Sequence, residues 1–375
     1  MPIIRHPLPS DSASWSRRRF VAAAAAAPAV LQSQAPSDVI RVGVIGTGNR
    51  GAFLLRQVLK VPHVKVVALC DIDPGALKRG AEIAAAHSPD LITEFRKLLD
   101  RKDIDAVFIA TPVDLHNEMI VAALEVGKNV YCEKPMARTP EACRQAVNAS
   151  RSARGILQLG FQLRHDPFRA ASVKLIHSGA IGKVLFLQAY RHGGDLPRSS
   201  GWYFDAARSG DNIVEQACHI LDIYNWVMQT HPLRAYGSGG INLFKDVPPG
   251  RTTMDNYAVL YEYPGDVRFS FSHLYFDPPG FTGIEERVFG ADASIDLPKG
   301  LLYRRTEEGP PQKIPVEGEG EDMNYRSVAA FFANARDKKQ PLNNAESGRI
   351  ATLTGILGRK SIYEKRVVEW SEVDL

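Results

Sequence analysis

Cysteine is scarce in this chain: four residues in 375, namely Cys70, Cys132, Cys143 and Cys218. Their spacings match neither a disulfide framework nor a zinc site, and the ten histidines are scattered without a ligand cluster. No metal is expected, and the cysteines read as buried free thiols: Cys70 and Cys132 in predicted strands, Cys143 on a predicted helix. Long apolar runs are missing too, since no segment approaches the roughly 20 residues of a membrane-spanning helix. Nor does one sign of charge dominate. Lys and Arg number 46 against 42 Asp and Glu, a formal net charge of +4. Beyond residues 17–19 no Lys/Arg cluster interleaved with aromatics suggests a nucleic-acid partner. Internal repeats and low-complexity tracts are also absent.

Much of the excess positive charge sits in the first 35 residues. Ser16-Arg17-Arg18-Arg19-Phe20-Val21 is a twin-arginine pattern. An alanine-rich apolar run from Phe20 to Leu31 follows it. Ser33-Gln34-Ala35 then offers small residues at the positions a signal peptidase reads. Residues 1–35 therefore read as a twin-arginine export signal, and the mature chain as periplasmic or otherwise exported. Their removal takes away four arginines and one aspartate, which lowers the formal charge from +4 to +1. No cysteine lies near the cleavage site, so no lipid anchor is expected. Twin-arginine substrates are exported folded, so thiols acquired in a reducing cytosol need not pair.

The most informative stretch is Val42-Gly43-Val44-Ile45-Gly46-Thr47-Gly48-Asn49-Arg50-Gly51. It is an apolar strand pattern ending in Gly-x-Gly-x-x-Gly, then a helical pattern, with Asp71 twenty positions beyond the third glycine. Gly46 serves the tight turn, Gly48 lets a pyrophosphate approach the backbone, and Gly51 lets helix and strand pack closely. Asn49 and Arg50, between the second and third glycines, belong to the same phosphate-binding turn. The phosphates would rest on the unpaired amides of a helix N-terminus. Asp71 closes the next apolar run and is placed for ribose hydroxyls. This is a nucleotide-binding Rossmann unit. Asp71 would repel a 2′-phosphate, Asp73 adds a second negative charge, and no arginine follows immediately, so NAD is expected over NADP.

From residue 38 to 160, apolar runs alternate with helical patterns, the signature of a parallel sheet. Strands are expected at Ile40–Ile45, Val64–Cys70, Ala106–Ala110, Asn129–Cys132 and Ile156–Phe161. Helices are expected between them, with Asp114 as a cap for the one running from Leu115 and Pro140 in the first turn of another. From 161 to 375 the runs become aromatic and Val267, Phe269 and Phe271 alternate with polar residues, as in a strand covered on one face. The expected architecture is α/β: a doubly wound parallel domain, then an α+β domain with a largely antiparallel open sheet. A helix is predicted over Ile213–Gln229. On it Glu215 and His219 lie four apart and project from one face.

Three further motifs carry chemistry: Ala110-Thr111-Pro112, Glu133-Lys134-Pro135, and Glu215-Gln216-Ala217-Cys218-His219-Ile220-Leu221-Asp222. The first two fall beyond the carboxyl ends of strands, where a Rossmann cofactor is exposed. The stretch TPVDLHNEMIVAALEVGKNVYCEKPMA (Thr111–Ala137), GFQLRHDP (Gly160–Pro167) and the Glu-x-x-x-His-x-x-Asp segment resemble the glucose–fructose oxidoreductase/inositol dehydrogenase/MocA family. The resemblance runs with specific motifs from Val39 to about Trp226.

That resemblance implies a nicotinamide ring between Glu133-Lys134-Pro135 and the second domain's helix, and hydride transfer from a secondary hydroxyl of a sugar or cyclitol. It implies Lys134 as the contact to that hydroxyl, His219 as the acid/base, and Glu133 as a contact to the nicotinamide ribose. Thr111, Pro112 and His116 fall near the cofactor. The family often has Asp where this chain has Glu215. The longer side chain either orients His219 or serves as a second acid/base. Gln162, Arg164, Arg191 and His192 follow predicted strands, and with Asp222 they are candidates for the sugar pocket or for ordinary interdomain packing. The open face of the second sheet resembles the surface through which family members associate, so a homodimer or homotetramer is expected. Export further suggests a cofactor loaded before translocation and recycled in place. Two other readings stay open: a redox-neutral NAD-dependent glycosidase, and a sugar-binding protein that holds NAD without turnover.

Overall fold

Strand β1 (Ile40–Ile45) forms because β-branched residues at Val42 and Val44 bury fully inside a sheet. It leads through the glycine turn into α1 (Asn49–Val58), then β2 (Val64–Cys70), α2 (Pro74–Ile83), β3 (Asp90–Ile92) and α3 (Phe95–Leu99). The second half comprises β4 (Ala106–Ile109), α4 (His116–Glu125), β5 (Asn129–Cys132), α5 (Pro140–Ser152) and β6 (Leu157–Leu159). This computed structural model describes residues 39–197, 199–306 and 308–374. The leader read at residues 1–35 lies outside the described residues.

These strands form a six-stranded parallel sheet in the order β3-β2-β1-β4-β5-β6. The order reverses between β1 and β4, and that switch point opens a crevice at the carboxyl ends of the strands. Pro140 stands in the first turn of α5 as the sequence suggests, and the Thr139 hydroxyl before it caps the helix by accepting from the Ala142 amide. Asp114 does not cap α4. It sits inside a 3₁₀ turn, Val113–Leu115, and its carboxylate takes Arg208 instead.

The second part begins with α6 (Pro167–His177), β7 (Val184–His192), and the short helices α7 (Ala206–Ser209) and α8 (Asn212–Glu215). After α9 (Cys218–Met228) come β8 (Arg234–Gly240), β9 (Asn256–Tyr263), β10 (Val267–Leu274), β11 (Gly283–Gly290), β12 (Ala293–Asp296), β13 (Leu301–Arg304) and β14 (Gln312–Lys313). Helices α10 (Met323–Asp337) and α11 (Ala345–Glu364) and strand β15 (Val368–Glu369) follow. The nine strands lie in the order β14-β13-β12-β11-β7-β10-β9-β8-β15. Only β7 and β10 pair in parallel; every other neighbour is antiparallel.

One face of this sheet packs under α9, where Tyr224 lies 4.1 Å from the Phe269 ring centroid. The other face stays open: Phe186, Leu260 and Tyr236 point outward and are exposed. Helix α10 belongs spatially to the first sheet. Its Phe331 sits edge-on to Phe108 at 5.2 Å, and its Ser327 hydroxyl meets that of Tyr131 at 3.3 Å. Such an aromatic contact adds about 0.5–1.5 kcal/mol beyond the area it buries. The same helix places Asn324 against Arg50, and so steadies the phosphate-binding end of the crevice.

Candidate active site

The crevice is a cleft of about 960 Å³ running from the glycine turn to the start of α9. That is the size range of ligand and cofactor sites. Gly46 has φ +85°, and a Cβ there would meet the Ala110 carbonyl oxygen at 2.6 Å. A Cβ on Gly48 would meet nothing within 4 Å, so the space above it is open to a phosphate. Helix α1 has no side-chain cap, and its first backbone bond runs from Ala52 to Gly48. The preceding first-turn amides therefore lack an intrahelical acceptor and suit an anion.

Asp71 follows β2 at the same end. Its Oδ2 accepts from the Thr47 amide at 2.6 Å and the Thr47 hydroxyl at 3.2 Å, and its Oδ1 from the Asp73 amide at 2.9 Å. The carboxylate is thus fixed on the cleft wall. Ile72 and Arg79 line this end as well, and sequence reading singled out neither. Ile72 is 86% exposed, an apolar surface suited to a flat ring.

At the other end, Lys134 follows β5 and is buried. Its Nζ donates to Glu215 Oε1 at 2.5 Å and to the Glu215 backbone oxygen at 2.6 Å. Burial opposes the ammonium, but the Glu215 carboxylate, with Cys218 and Glu133, outweighs it and raises the lysine above its ordinary pKa. His219 is held the opposite way. Burial first, then the positive charges of Lys134, Arg191, Arg50 and Arg169, push it well below the usual histidine value. Its Nδ1 is sealed and unpaired, which leaves Nε2 to face the cleft. The pair is a charged donor beside a neutral imidazole.

The expected continuous helix is broken between Glu215 and His219. In an unbroken helix the Glu215 carbonyl would accept from the His219 amide. Here that amide bonds Gln216 O at 3.4 Å, and the freed carbonyl serves Lys134. Glu215 therefore does not orient His219. Its Oε1 is taken by Lys134 and its Oε2 by the Gln216 amide group at 2.7 Å. It acts as the lysine's counter-ion.

Glu133 Oε1 accepts from Arg50 Nε at 2.7 Å, an ion pair lying between the glycine turn and Lys134. Thr111, Pro112 and His116 line the cleft. The His116 ring bridges two carbonyls, Nδ1 to Pro135 O at 2.7 Å and Nε2 to Thr111 O at 3.0 Å. It ties the turn after β4 to the turn that carries Lys134.

Not every candidate reaches the cleft. Arg164 and Asp222 form a buried bidentate pair, with both contacts at 2.7 Å, and saturate one another. They are structural rather than substrate contacts. His192 lies on the outer side of β7, stacked on Tyr190 and 3.0 Å from Asp277. Gln162 does line the cleft, and its Oε1 is sealed without a partner. Arg191 faces inward on β7 with Leu187 and Ala189. Trp202, Tyr203 and Arg208 form part of the cleft's second wall, and Arg208 crosses to Asp114 at 2.9 Å. The aromatic run Trp202-Tyr203-Phe204 is the feature of the sequence that could have marked that wall.

Residues 40–161 match the family model described as "Oxidoreductase family, NAD-binding Rossmann fold", and residues 170–296 match the GFO/IDH/MocA C-terminal domain. An inositol 2-dehydrogenase of Saccharopolyspora erythraea is 32% identical over 268 residues, 69% of this chain and 73% of that protein. An inositol 2-dehydrogenase/D-chiro-inositol 3-dehydrogenase of Lactiplantibacillus plantarum is 29% identical over 52% of this chain. Against that relative and an uncharacterized Bacillus subtilis oxidoreductase, the chain spans 54% and 57% of their lengths. A levoglucosan dehydrogenase solved with NADH and L-sorbose superposes with TM-score 0.78 at 18% identity, covering 90% of this chain and 100% of that one. For scyllo-inositol dehydrogenase from Lactobacillus casei the TM-score is 0.75 at 20% identity, covering 89% and 99%. At these identities the solved structures bear on fold alone. With both halves of the chain matched in order and a relative aligned over most of its length, the chain belongs to the Gfo/Idh/MocA oxidoreductase family.

Proposed function

We propose that this protein oxidises a secondary hydroxyl of a sugar or cyclitol, with NAD as the hydride acceptor. One observation carries the reading: Lys134, paired with Glu215, and His219 line one end of a cleft whose far end is the glycine turn and Asp71. Gly46, Gly48 and the first turn of α1 would hold the pyrophosphate, Asp71 a ribose, and Thr111, Pro112 and Glu133 the nicotinamide half. The nicotinamide supplies a hydride acceptor. Lys134 donates to the substrate oxygen and stabilises the developing alkoxide, while Glu215 keeps the ammonium charged. His219 takes the hydroxyl proton at Nε2. The names of relatives agree with this class: inositol dehydrogenases by sequence, and a levoglucosan dehydrogenase holding NADH by structure. A panel of free sugars, cyclitols and aryl glycosides tests it, with absorbance following cofactor reduction and any released aglycone. Reduction of the cofactor is the expected result. Aglycone release without net reduction would mean a redox-neutral glycosidase, and no signal from any compound would contradict the reading.

NAD is expected to bind at least about tenfold more tightly than NADP, because like charges brought together on one wall cost more than about 1.4 kcal/mol. Asp71→Ala should weaken NAD binding and relax the preference. Fluorescence titration of both cofactors checks this, and equal or tighter NADP binding by the unmutated protein would contradict it.

Export through the twin-arginine leader, with the cofactor loaded first, completes the reading; recycling in place would require a second, carbonyl-bearing substrate, or the oxidised substrate itself, to take the hydride back from the reduced nicotinamide. Nicotinamide should then appear in the supernatant when the purified protein is denatured. Its absence would argue for free exchange.

The open sheet face, with Tyr236 directly opposite Leu260 on the neighbouring strand, is proposed as the surface of a homodimer or homotetramer. Light scattering at micromolar concentration should return a multiple of the chain mass, and Leu260→Glu should shift it to the monomer. A monomeric unmutated protein would remove this part.

A further inference from the structure

The two walls of the cleft are joined at its rim. Asp114 stands between Val113 and Leu115, which both line the Rossmann side, and Arg208 lines the opposite wall. Arg208 Nε donates to Asp114 Oδ2 at 2.9 Å. A second bond joins the same two parts. Arg138, in the loop between β5 and α5, donates from Nη1 to the Ala207 carbonyl at 2.6 Å. Helix α7 is thus held by the first domain at two successive residues.

The two sides of this strap are built differently. The Asp114 turn is anchored, because His116, two positions on, is buried and bonded to the Pro135 and Thr111 carbonyls at 2.7 and 3.0 Å. Helix α7 has four residues, too few to hold itself. Its exposed residues, Ala207 and Arg208, carry both bonds to the first domain. On its own side the Ala206 amide donates to the Thr252 hydroxyl at 2.8 Å, and Arg359 donates to the Gly210 carbonyl at 3.1 Å. A short segment fixed mainly by polar bonds opens locally at far less cost than the whole fold.

Thr111 and Pro112, assigned above to the nicotinamide half, lead directly into the Asp114 turn. The bridge therefore stands beside that half of the dinucleotide. We propose that the Arg208–Asp114 bridge is a latch on the cofactor: NAD enters and leaves when α7 lifts away from the Val113–Leu115 turn. This rests on the NAD reading above and gives cofactor retention a structural cause. Both partners are groups of this chain, so the latch closes the free and the loaded protein alike. Such a contact slows entry and exit together and leaves affinity nearly unchanged. A side chain that touched the cofactor would instead slow exit alone and tighten binding.

Release is timed by chasing NADH-loaded protein with excess NAD in a stopped-flow fluorimeter, and Kd is read by fluorescence titration. Arg208→Ala should speed release by about fivefold, the upper range for an exposed ion pair. Arg208→Glu sets like charges together and should speed it by about tenfold or more. In both variants Kd should stay within about threefold of the unmutated value, because entry quickens as much as exit. Combining Arg208→Glu with Asp114→Arg should restore slow release. Added salt should speed release from the unmutated protein and leave Arg208→Ala unaffected. Unchanged release in Arg208→Glu, or faster release matched by an equal loss of affinity, would overturn the latch. If NADH shows the predicted rates yet no sugar reduces NAD, the hydride-transfer reading fails and the latch stands. If neither NAD nor NADH binds, both fall.

Discussion

Lys134→Met is expected to lower kcat by about 10²–10³-fold, the usual loss when one donor to a developing oxyanion is removed. The substitution keeps the apolar stem and deletes the ammonium that donates to Glu215 at 2.5 Å. It has a second consequence, because Glu215 is left as a buried carboxylate without its cation. Breaking a buried pair in this way costs about 3–5 kcal/mol of stability. The two effects separate in the double variant Lys134→Met with Glu215→Gln, which removes both charges. Stability should largely return while activity stays low. Single-turnover cofactor reduction reads the first effect and thermal unfolding the second. Activity within tenfold of the unmutated protein in Lys134→Met would contradict the role given to the lysine.

His219→Asn is expected to cost about 10²–10⁴-fold in kcat/KM, the range for loss of a positioned general base. The pH profile gives a sharper readout. Burial and the surrounding positive charges hold His219 well below its ordinary pKa. It therefore stays neutral, and able to accept a proton, below pH 6.5. The acid limb of kcat/KM should lie well below pH 6.5 in the unmutated protein and vanish in the variant. Stability responds to the same proton. The folded state binds this proton less readily than the unfolded chain, so stability is full above about pH 6.5 and declines as pH falls. His116 and His273 are likewise lowered by burial, and His165 is lowered to about 4. Each steepens the decline by up to about 1.4 kcal/mol per pH unit. An acid limb at or above pH 6.5 would mean that His219 is not the base.

Much of this site is legible in the sequence itself. The glycine turn, Asp71, Thr111-Pro112 and Glu133-Lys134 lie in short contiguous motifs, each at the carboxyl end of a strand whose burial is written as an apolar run. The edge strand Asp90–Ile92 escaped because three residues, two of them exposed, carry no period. Strand β11 was missed for a related reason: Glu285, Glu286 and Arg287 interrupt the apolar pattern, and Glu286 is buried in its pair with Arg169. Long-range pairing was invisible altogether. Nothing local says that Lys134 meets Glu215, 81 residues on, or that Arg164 meets Asp222, 58 residues on. The break between α8 and α9 has the same origin. A continuous apolar period predicts one helix, and only the distant Lys134, whose ammonium donates to the Glu215 carbonyl, shows why that carbonyl leaves the helix ladder.

The most direct measurement of hydride transfer follows the hydrogen itself. A sugar or cyclitol deuterated at its ring carbons would be mixed with the cofactor-loaded protein, quenched within one turnover, and the nicotinamide analysed by mass spectrometry. Deuterium should appear on the nicotinamide ring whether the overall reaction is oxidative or redox-neutral, and Lys134→Met and His219→Asn should suppress it. Conversion of the substrate with no deuterium on the nicotinamide would contradict hydride transfer as the chemistry of this site.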